Sequence, residues 1–174
     1  MWWSTLSARL RTLITLAVLA VLLLTGVAWG WSQVTEPFPG KADPAICVDT
    51  SYAAGDELFV QDVTVSVPNA SSREGLAGRT LALLEDAGFA AGQTANAPAG
   101  TALSTPAEIW VSDPDDPGAK LLRRWIGKVP VRSDVVSPAA GITLVVGDTF
   151  GELTQGPTSL VLEADAVVCS PPVE

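Results

Sequence analysis

The sequence predicts an α/β protein: an N-terminal transmembrane helix, then a two-layer α/β domain with a mixed sheet of about four to six strands and two main helices in βαβ-βαβ order. Three observations carry this reading. No charged residue lies between Thr12 and Thr35, in a stretch that is almost wholly aliphatic. Beyond it, segments of strand period alternate with segments of helix period. Two cysteines, Cys47 and Cys169, bracket that patterned region.

The apolar run is assigned to a membrane helix over residues 12–34. At ~1.5 Å per residue such a helix crosses a ~30 Å hydrocarbon core. Arg9 and Arg11 precede it and no Lys or Arg follows before Lys41. The positive-inside rule therefore keeps residues 1–11 in the cytoplasm and exports the remainder. Trp2 and Trp3 near one border, and Trp29 and Trp31 at the other, suit the headgroup region. The competing reading is a signal peptide cleaved after Ala28-Trp29-Gly30. Cleavage there would leave Trp31 at the new N-terminus, and the run exceeds the usual length of a signal core. Both readings put the domain outside the cytoplasm.

The 174 residues include 10 Lys and Arg, 19 Asp and Glu, and no His. All acidic residues stand at or after Glu36, so the exported part holds 8 basic against 19 acidic residues, a formal charge of −11. Such a surface repels polyanions, and nucleic acid is excluded as a partner. Without His, no Ser-His-Asp or Cys-His nucleophile system can be assembled. Cys47 and Cys169 lie 122 positions apart. In an oxidising compartment two lone cysteines are most simply a disulfide, the alternative being two buried thiols. No Cys-x-x-Cys pair supports redox catalysis or a zinc knuckle.

Residues 35–61 are expected to form a linker and N-terminal extension, opening with the Pro- and Gly-rich Thr35–Pro44. The domain proper is placed at residues 62–153. Asp62–Val67 (DVTVSV) alternates Val with Thr and Ser, the mark of a strand with one buried face, and Pro68 closes it. Ser71 followed by Glu74 reads as a capping box at a helix start. That helix aligns Leu76, Thr80, Leu83, Leu84 and Ala87 on one stripe and stops at Gly88. Phe89–Thr94 offers a short return strand, followed by a loop over Asn96–Pro106.

Glu108–Ser112 (EIWVS) is the next strand, and Asp113–Gly118 (DPDDPG) a turn that prepares a helix. Asp116 is a good N-cap and Pro117 a good first helical residue. The helix runs to about Ile126 with Leu121, Leu122, Trp125 and Ile126 inward. Val129–Val131 is a short β segment, and Ile142–Val146 (ITLVV) suits a strand covered on both faces. Residues 154–174 form a C-terminal strand, Ser159–Val168, and a tail.

The run Val63–Phe89 resembles the LytR C-terminal domain family. Asn69-Ala70, Gly75-Leu76-Ala77 and Gly88-Phe89 match its pattern in order and spacing. Glu108–Val111, the helix with Ala119 and Leu122, and Leu144–Phe150 also fit, so the likeness covers Val63–Leu153. The family usually ends its last strand with Gly-x-Asp-Phe, whereas Gly147-Asp148-Thr149-Phe150 has the acid one place early. In this family the domain follows the catalytic domain of some LytR-CpsA-Psr cell-wall ligases, or stands alone behind one membrane helix in actinobacterial envelope proteins. This chain has the second arrangement. The resemblance implies an accessory envelope role, with no ligase activity and no catalytic residue to transfer.

Four candidate sites remain. The Asn69–Gly78 turn lies where helix N-termini bind anions, but it lacks G-x-G-x-x-G and the Walker lysine, so no nucleotide is expected. Capping accounts for Ser71 and Glu74 there, and the motif residues Asn69, Gly75, Gly88, Phe89 and Gly147 read as structural. The Asp113–Asp116 run begins like a Ca²⁺ loop, yet Pro117 occupies a ligand position and no Glu closes it. Turn and cap explain it, and no metal or cofactor is expected. Lys120, Arg123, Arg124, Lys128 and Arg132 are five of the eight exported basic residues, with no acid between Lys120 and Arg132. They are either a solvated helix face or a patch for an anion or partner. Carboxylate pairs for a hydrolase exist in principle, without a motif to join them.

The expected function is non-catalytic: a membrane-anchored extracytoplasmic domain that binds or scaffolds in cell-envelope assembly or integrity. Its partner would be another envelope protein or a cell-wall polymer. The alternative is a module for an anionic wall glycopolymer or a polyprenyl-phosphate-type lipid, held by the Lys120–Arg132 patch; a carboxylate-dependent hydrolase ranks below both.

Overall fold

The computed structural model describes residues 8–35 and 45–172. The chain divides into two units, residues 1–44 and 45–174. Trp2, Trp3 and most of the expected tether lie outside the described residues.

Helix α1 (Ala8–Thr35) holds the apolar span Leu10–Trp31, 22 residues with a mean hydropathy of 2.3 and none buried. It is long and apolar enough to cross a membrane. Two of its hydroxyls are satisfied within the helix: Thr15 Oγ1 donates to the Arg11 carbonyl and Thr25 Oγ1 to that of Val21, each at 2.9 Å. A hydroxyl surrounded by hydrocarbon requires such internal bonding.

In the second unit, β1 (Val48–Tyr52) and β2 (Glu57–Phe59) lead into β3 (Thr64–Asn69), α2 (Leu76–Asp86) and β4 (Ala90–Asn96). Then follow β5 (Ala107–Trp110), α3 (Pro117–Ile126), β6 (Val131–Arg132), β7 (Ile142–Val146), β8 (Ser159–Val161) and β9 (Ala166–Ser170). The main sheet has five strands in the order β4-β3-β7-β5-β6. It is mixed: β3 is parallel to β4 and β7, and β5 is parallel to β6 but antiparallel to β7. β3-α2-β4 and β5-α3-β6 are the two expected βαβ units.

Two faces of this sheet are chemically distinct. Val65, Val67, Ile109, Ile142, Leu144 and Val146 join Leu84, Leu121 and Leu122 of the helices in one apolar cluster. The other face carries Thr64, Ser66, Glu108, Trp110, Thr143 and Val145, all buried as well. The period-2 reading of Asp62–Val67 thus separates the faces correctly, but the Thr/Ser face is not open to solvent. Residues 133–141 cover it. Ser66 Oγ donates to the Ala140 carbonyl at 2.7 Å, Ser137 and Thr143 share a hydroxyl hydrogen bond, and Gly141 packs against the Thr64 backbone.

Pro68 does not end the strand, which continues to Asn69. The β3–β7 register is the same at Ser66–Thr143 and at Asn69–Val146, and the pairing skips Val67 and Pro68 between them, where Pro68 has no N–H to give. On the other flank the β3–β4 register shifts between Val65 and Val67. Ser66 occupies the irregularity: its Oγ accepts from the Gln93 amide at 3.0 Å. A Cβ on Gly92 would stand 2.3 Å from that oxygen, so only Gly fits.

The terminal segments differ most from expectation. Within residues 35–61, read as a linker and extension, β1 and β2 are strands. The expected single strand Ser159–Val168 is two strands, β8 and β9, separated by a turn. The physical reason is pairing from a distance. β1 runs antiparallel to β9, with Val48 opposite Ser170 and Tyr52 opposite Ala166, and β2 pairs with β8. Cys47 and Cys169 form a disulfide at the end of the β1–β9 ribbon, their Cα atoms 5.3 Å apart.

Candidate functional site

The Asn69–Gly75 turn is built by Asn69, the last residue of β3. Its Oδ1 accepts from the Ser71 amide at 2.9 Å and from Ser71 Oγ at 2.7 Å. Its Nδ2 donates to the Arg73 carbonyl at 2.9 Å. The capping box does not form. The helix begins later than Ser71, with Gly75 at the N-cap in a left-handed conformation (φ +70°) and no side-chain cap. Ser71 is already bound to Asn69, which takes its hydroxyl away from the helix amides.

The anion at this turn comes from the chain itself. The Ser72 amide and hydroxyl both donate to Asp148 Oδ1, at 2.9 and 2.8 Å. Arg73 adds donors to the carbonyls of Asp148 and Phe150, at 3.2 and 2.7 Å. These hydrogen bonds, led by the Ser72 amide and hydroxyl, hold the Asp148 carboxyl below its ordinary range. The early acid in Gly147-Asp148-Thr149-Phe150 therefore has a structural task. Gly147 donates its amide to the Pro106 carbonyl at 2.9 Å, and a Cβ there would crowd Leu103 and Thr105.

At the other end of α2, Gly88 (φ +98°) and Phe89 donate their amides to the carbonyls of Glu85 and Leu84. This is the Schellman closure. Phe89 is buried and meets the Trp125 ring edge-on at 6.0 Å. Of the predicted stripe, Leu76, Thr80 and Leu84 are buried and Ala87 half-buried, while Leu83 is 38% exposed. Ala77 is buried on the inward face instead of Leu83.

Helix α3 forms as its local sequence dictates. Asp116 Oδ1 accepts from the Ala119 amide at 2.9 Å, Pro117 is the first helical residue, and Asp113 Oδ1 accepts from the Asp115 amide. Burial raises the Asp116 carboxyl above its ordinary value, partly opposed by the Ala119 and Gly118 amides. Leu121 and Leu122 are fully buried, and Gly118 lets the helix approach closely: a Cβ there would lie 2.7 Å from Ile142 Cδ1.

With that face inward, Lys120, Arg123 and Arg124 are turned out, with Lys128 just beyond the helix. All four line an open groove of ≈ 1750 Å³, whose opposite side includes Tyr52, Val161 and Val167. Arg132 does not line it. That guanidinium lies 2.7 Å from Asp134 and 3.7 Å from Glu108, and Glu108 also accepts from the Trp110 indole at 3.1 Å. The predicted five-residue patch is therefore four residues on the groove and one in a separate ionic cluster. Lys120 pairs with Asp115 at 3.1 Å; among the described residues, Arg123, Arg124 and Lys128 have no ion pair. No metal-sized group of three His, Cys, Asp or Glu occurs among the described residues. From the sequence Asp148 stood out only as an acid one place early, and Ser66 and the pairing of Arg132 with Glu108 were not anticipated; a lone Ser between valines was the one available signal for Ser66.

Residues 62–150 match the family described as LytR cell envelope-related transcriptional attenuator (LytR_C). The match spans slightly more than half the chain, which belongs to that family. A solved soluble domain of a conserved hypothetical secreted protein, an Rv2700 ortholog from Mycobacterium marinum, is similar at 25% identity, with a TM-score of 0.49. The similarity covers 60% of this chain and 68% of that one. No curated protein matches the sequence.

Proposed function

We propose that this chain is a single-pass envelope protein whose α1 helix anchors a non-catalytic binding or scaffold domain on the extracytoplasmic side, similar in arrangement to the envelope integrity protein Cei of actinobacteria. The observation that carries the reading is the joining of a LytR_C domain to a 22-residue apolar span. Arg9 and Arg11 on the N-terminal flank support the orientation, and the Cys47–Cys169 disulfide suits an oxidising compartment. The partner is another envelope protein or a wall polymer. Deletion of the gene should raise sensitivity to detergent and lysozyme, with restoration by the full chain. A deletion strain with normal sensitivity and normal wall polymer content would sink the envelope role.

A second reading is favoured by one observation, the three cations on the α3 groove that have no ion pair among the described residues. In it, the domain binds an anionic wall glycopolymer or a phosphate-bearing lipid. Binding of wall fractions, lost on charge reversal at Arg123 and Arg124, separates it from scaffolding through another surface.

A further inference from the structure

We infer that the α3 groove takes a compact anionic amphiphile, one phosphate head on an apolar chain, and rejects extended polyanions; this deepens the second reading above and rests on it. The argument starts from which charges in the groove are already engaged. Of the six acids that line it, all but Glu163 serve their own turns. Asp116 caps α3, Asp113 binds the Asp115 amide, and Asp115 pairs with Lys120. Asp56 accepts from the Ala53 amide at 2.8 Å and Asp165 from the Ala54 amide at 2.9 Å. Arg123, Arg124 and Lys128 have no such task and stand together at the C-terminal end of the helix. Within six positions these three cations have no ion pair among the described residues; on residues 36–174, of formal charge −11, they form a site for charge-assisted binding of one phosphate.

Two further features narrow the ligand. Val161 and Val167, on the strands facing α3, are 60% and 59% exposed and line the same groove. Exposed β-branched side chains beside unpaired cations offer an apolar track next to an anionic head. The acids, although engaged, still line the groove. Asp116 stands eight positions before Arg124, about 12 Å along the helix axis. A polymer with regularly spaced phosphates would run from the cations onto Asp113, Asp115 and Asp116, whereas a single head with a neutral tail would not.

The test uses the full chain in phosphatidylcholine nanodiscs, titrated calorimetrically with monomeric dihexanoyl phosphatidic acid. Inorganic phosphate, dihexanoyl phosphatidylcholine and polyphosphate are the comparison ligands. Saturable binding of the phosphatidic acid is expected, with inorganic phosphate, the zwitterionic lipid and polyphosphate each about tenfold weaker or more. Arg123→Glu/Arg124→Glu should weaken phosphatidic acid by at least about tenfold. Val161→Ser/Val167→Ser should weaken it about threefold and leave inorganic phosphate unchanged. All four side chains are exposed, so unchanged thermal unfolding will show that the variants fold. Absence of binding, undiminished binding by the charge-reversed protein, or polyphosphate binding tighter than phosphatidic acid would each overturn the inference. The deletion phenotype tests the envelope role separately: restoration by Arg123→Glu/Arg124→Glu would leave that role standing while removing this groove from it.

Discussion

In β3-α2-β4 the helix starts at Gly75, with no side chain capping it, and its approach is pinned from 76 positions away by Asp148 on Ser72. In β5-α3-β6 the start is local, Asp116 capping Ala119 with Pro117 in the first turn. The two units share a plan and a sheet, yet one helix is begun by tertiary structure and the other by its own sequence. The first arrangement links α2 to the far end of β7. The second starts α3 from its own N-cap and leaves Arg123, Arg124 and Lys128 without an ion pair among the described residues.

The largest effect should come from removing what the two units share. Leu84→Ala and Leu122→Ala each empty a fully buried position and should each cost about 2–5 kcal/mol in denaturant unfolding of the full chain. Opening the Cys47–Cys169 link by double substitution to Ser should cost about 2–5 kcal/mol and act on the β1–β9 ribbon first. Equal protection of β1 and β9 amides in the variant would contradict that order.

Smaller effects divide the helices. Asp116→Ala should cost about 0.5–2 kcal/mol through loss of the cap. Asp116→Asn keeps the acceptor and should be markedly milder. Asp148→Asn should speed exchange of the Ser72 amide while leaving α3 protection unchanged; equal loosening of both helices would remove the contrast.

The two carboxyls should also give opposite pH signatures. Asp148 is held below its ordinary value in the folded state, so its stabilisation is present above the unfolded carboxylate range and is lost as pH falls through the folded value. Asp116 is raised, so the folded state binds the proton more tightly; its contribution is full below the unfolded value and is lost as pH rises through the raised one. Unfolding curves of the two Asn variants against pH check both signs. The smallest effect belongs to Arg123→Glu/Arg124→Glu, which should shift stability by less than about 0.5 kcal/mol, the groove being solvent-exposed there.

Legibility followed the range of the interactions. Asp116-Pro117, Gly88-Phe89 and Ile142–Val146 act within a few residues, and each forms where the pattern puts it. The Ser71-Glu74 pair has the right local spacing and still fails, because Asn69 takes the Ser71 amide that Glu74 would bind and the helix starts only after Gly75. The cationic cluster was visible as a run of residues, but its division was not. Arg132 sits in β6 beside Glu108 of β5, and strand pairing is not written in the spacing between them.

By itself the sequence determined the apolar span, the mixed α/β class, the α3 cap and the two cysteines as partners, since each depends on composition or near-neighbour periodicity. Tertiary structure decided the rest. It joined the terminal strands into ribbons, buried the Thr/Ser face under residues 133–141, and made Asp148 the anion at the Asn69 turn. It also left three of the five cations without an ion pair among the described residues. Those outcomes depend on contacts between segments far apart in the chain, and no local pattern specifies them.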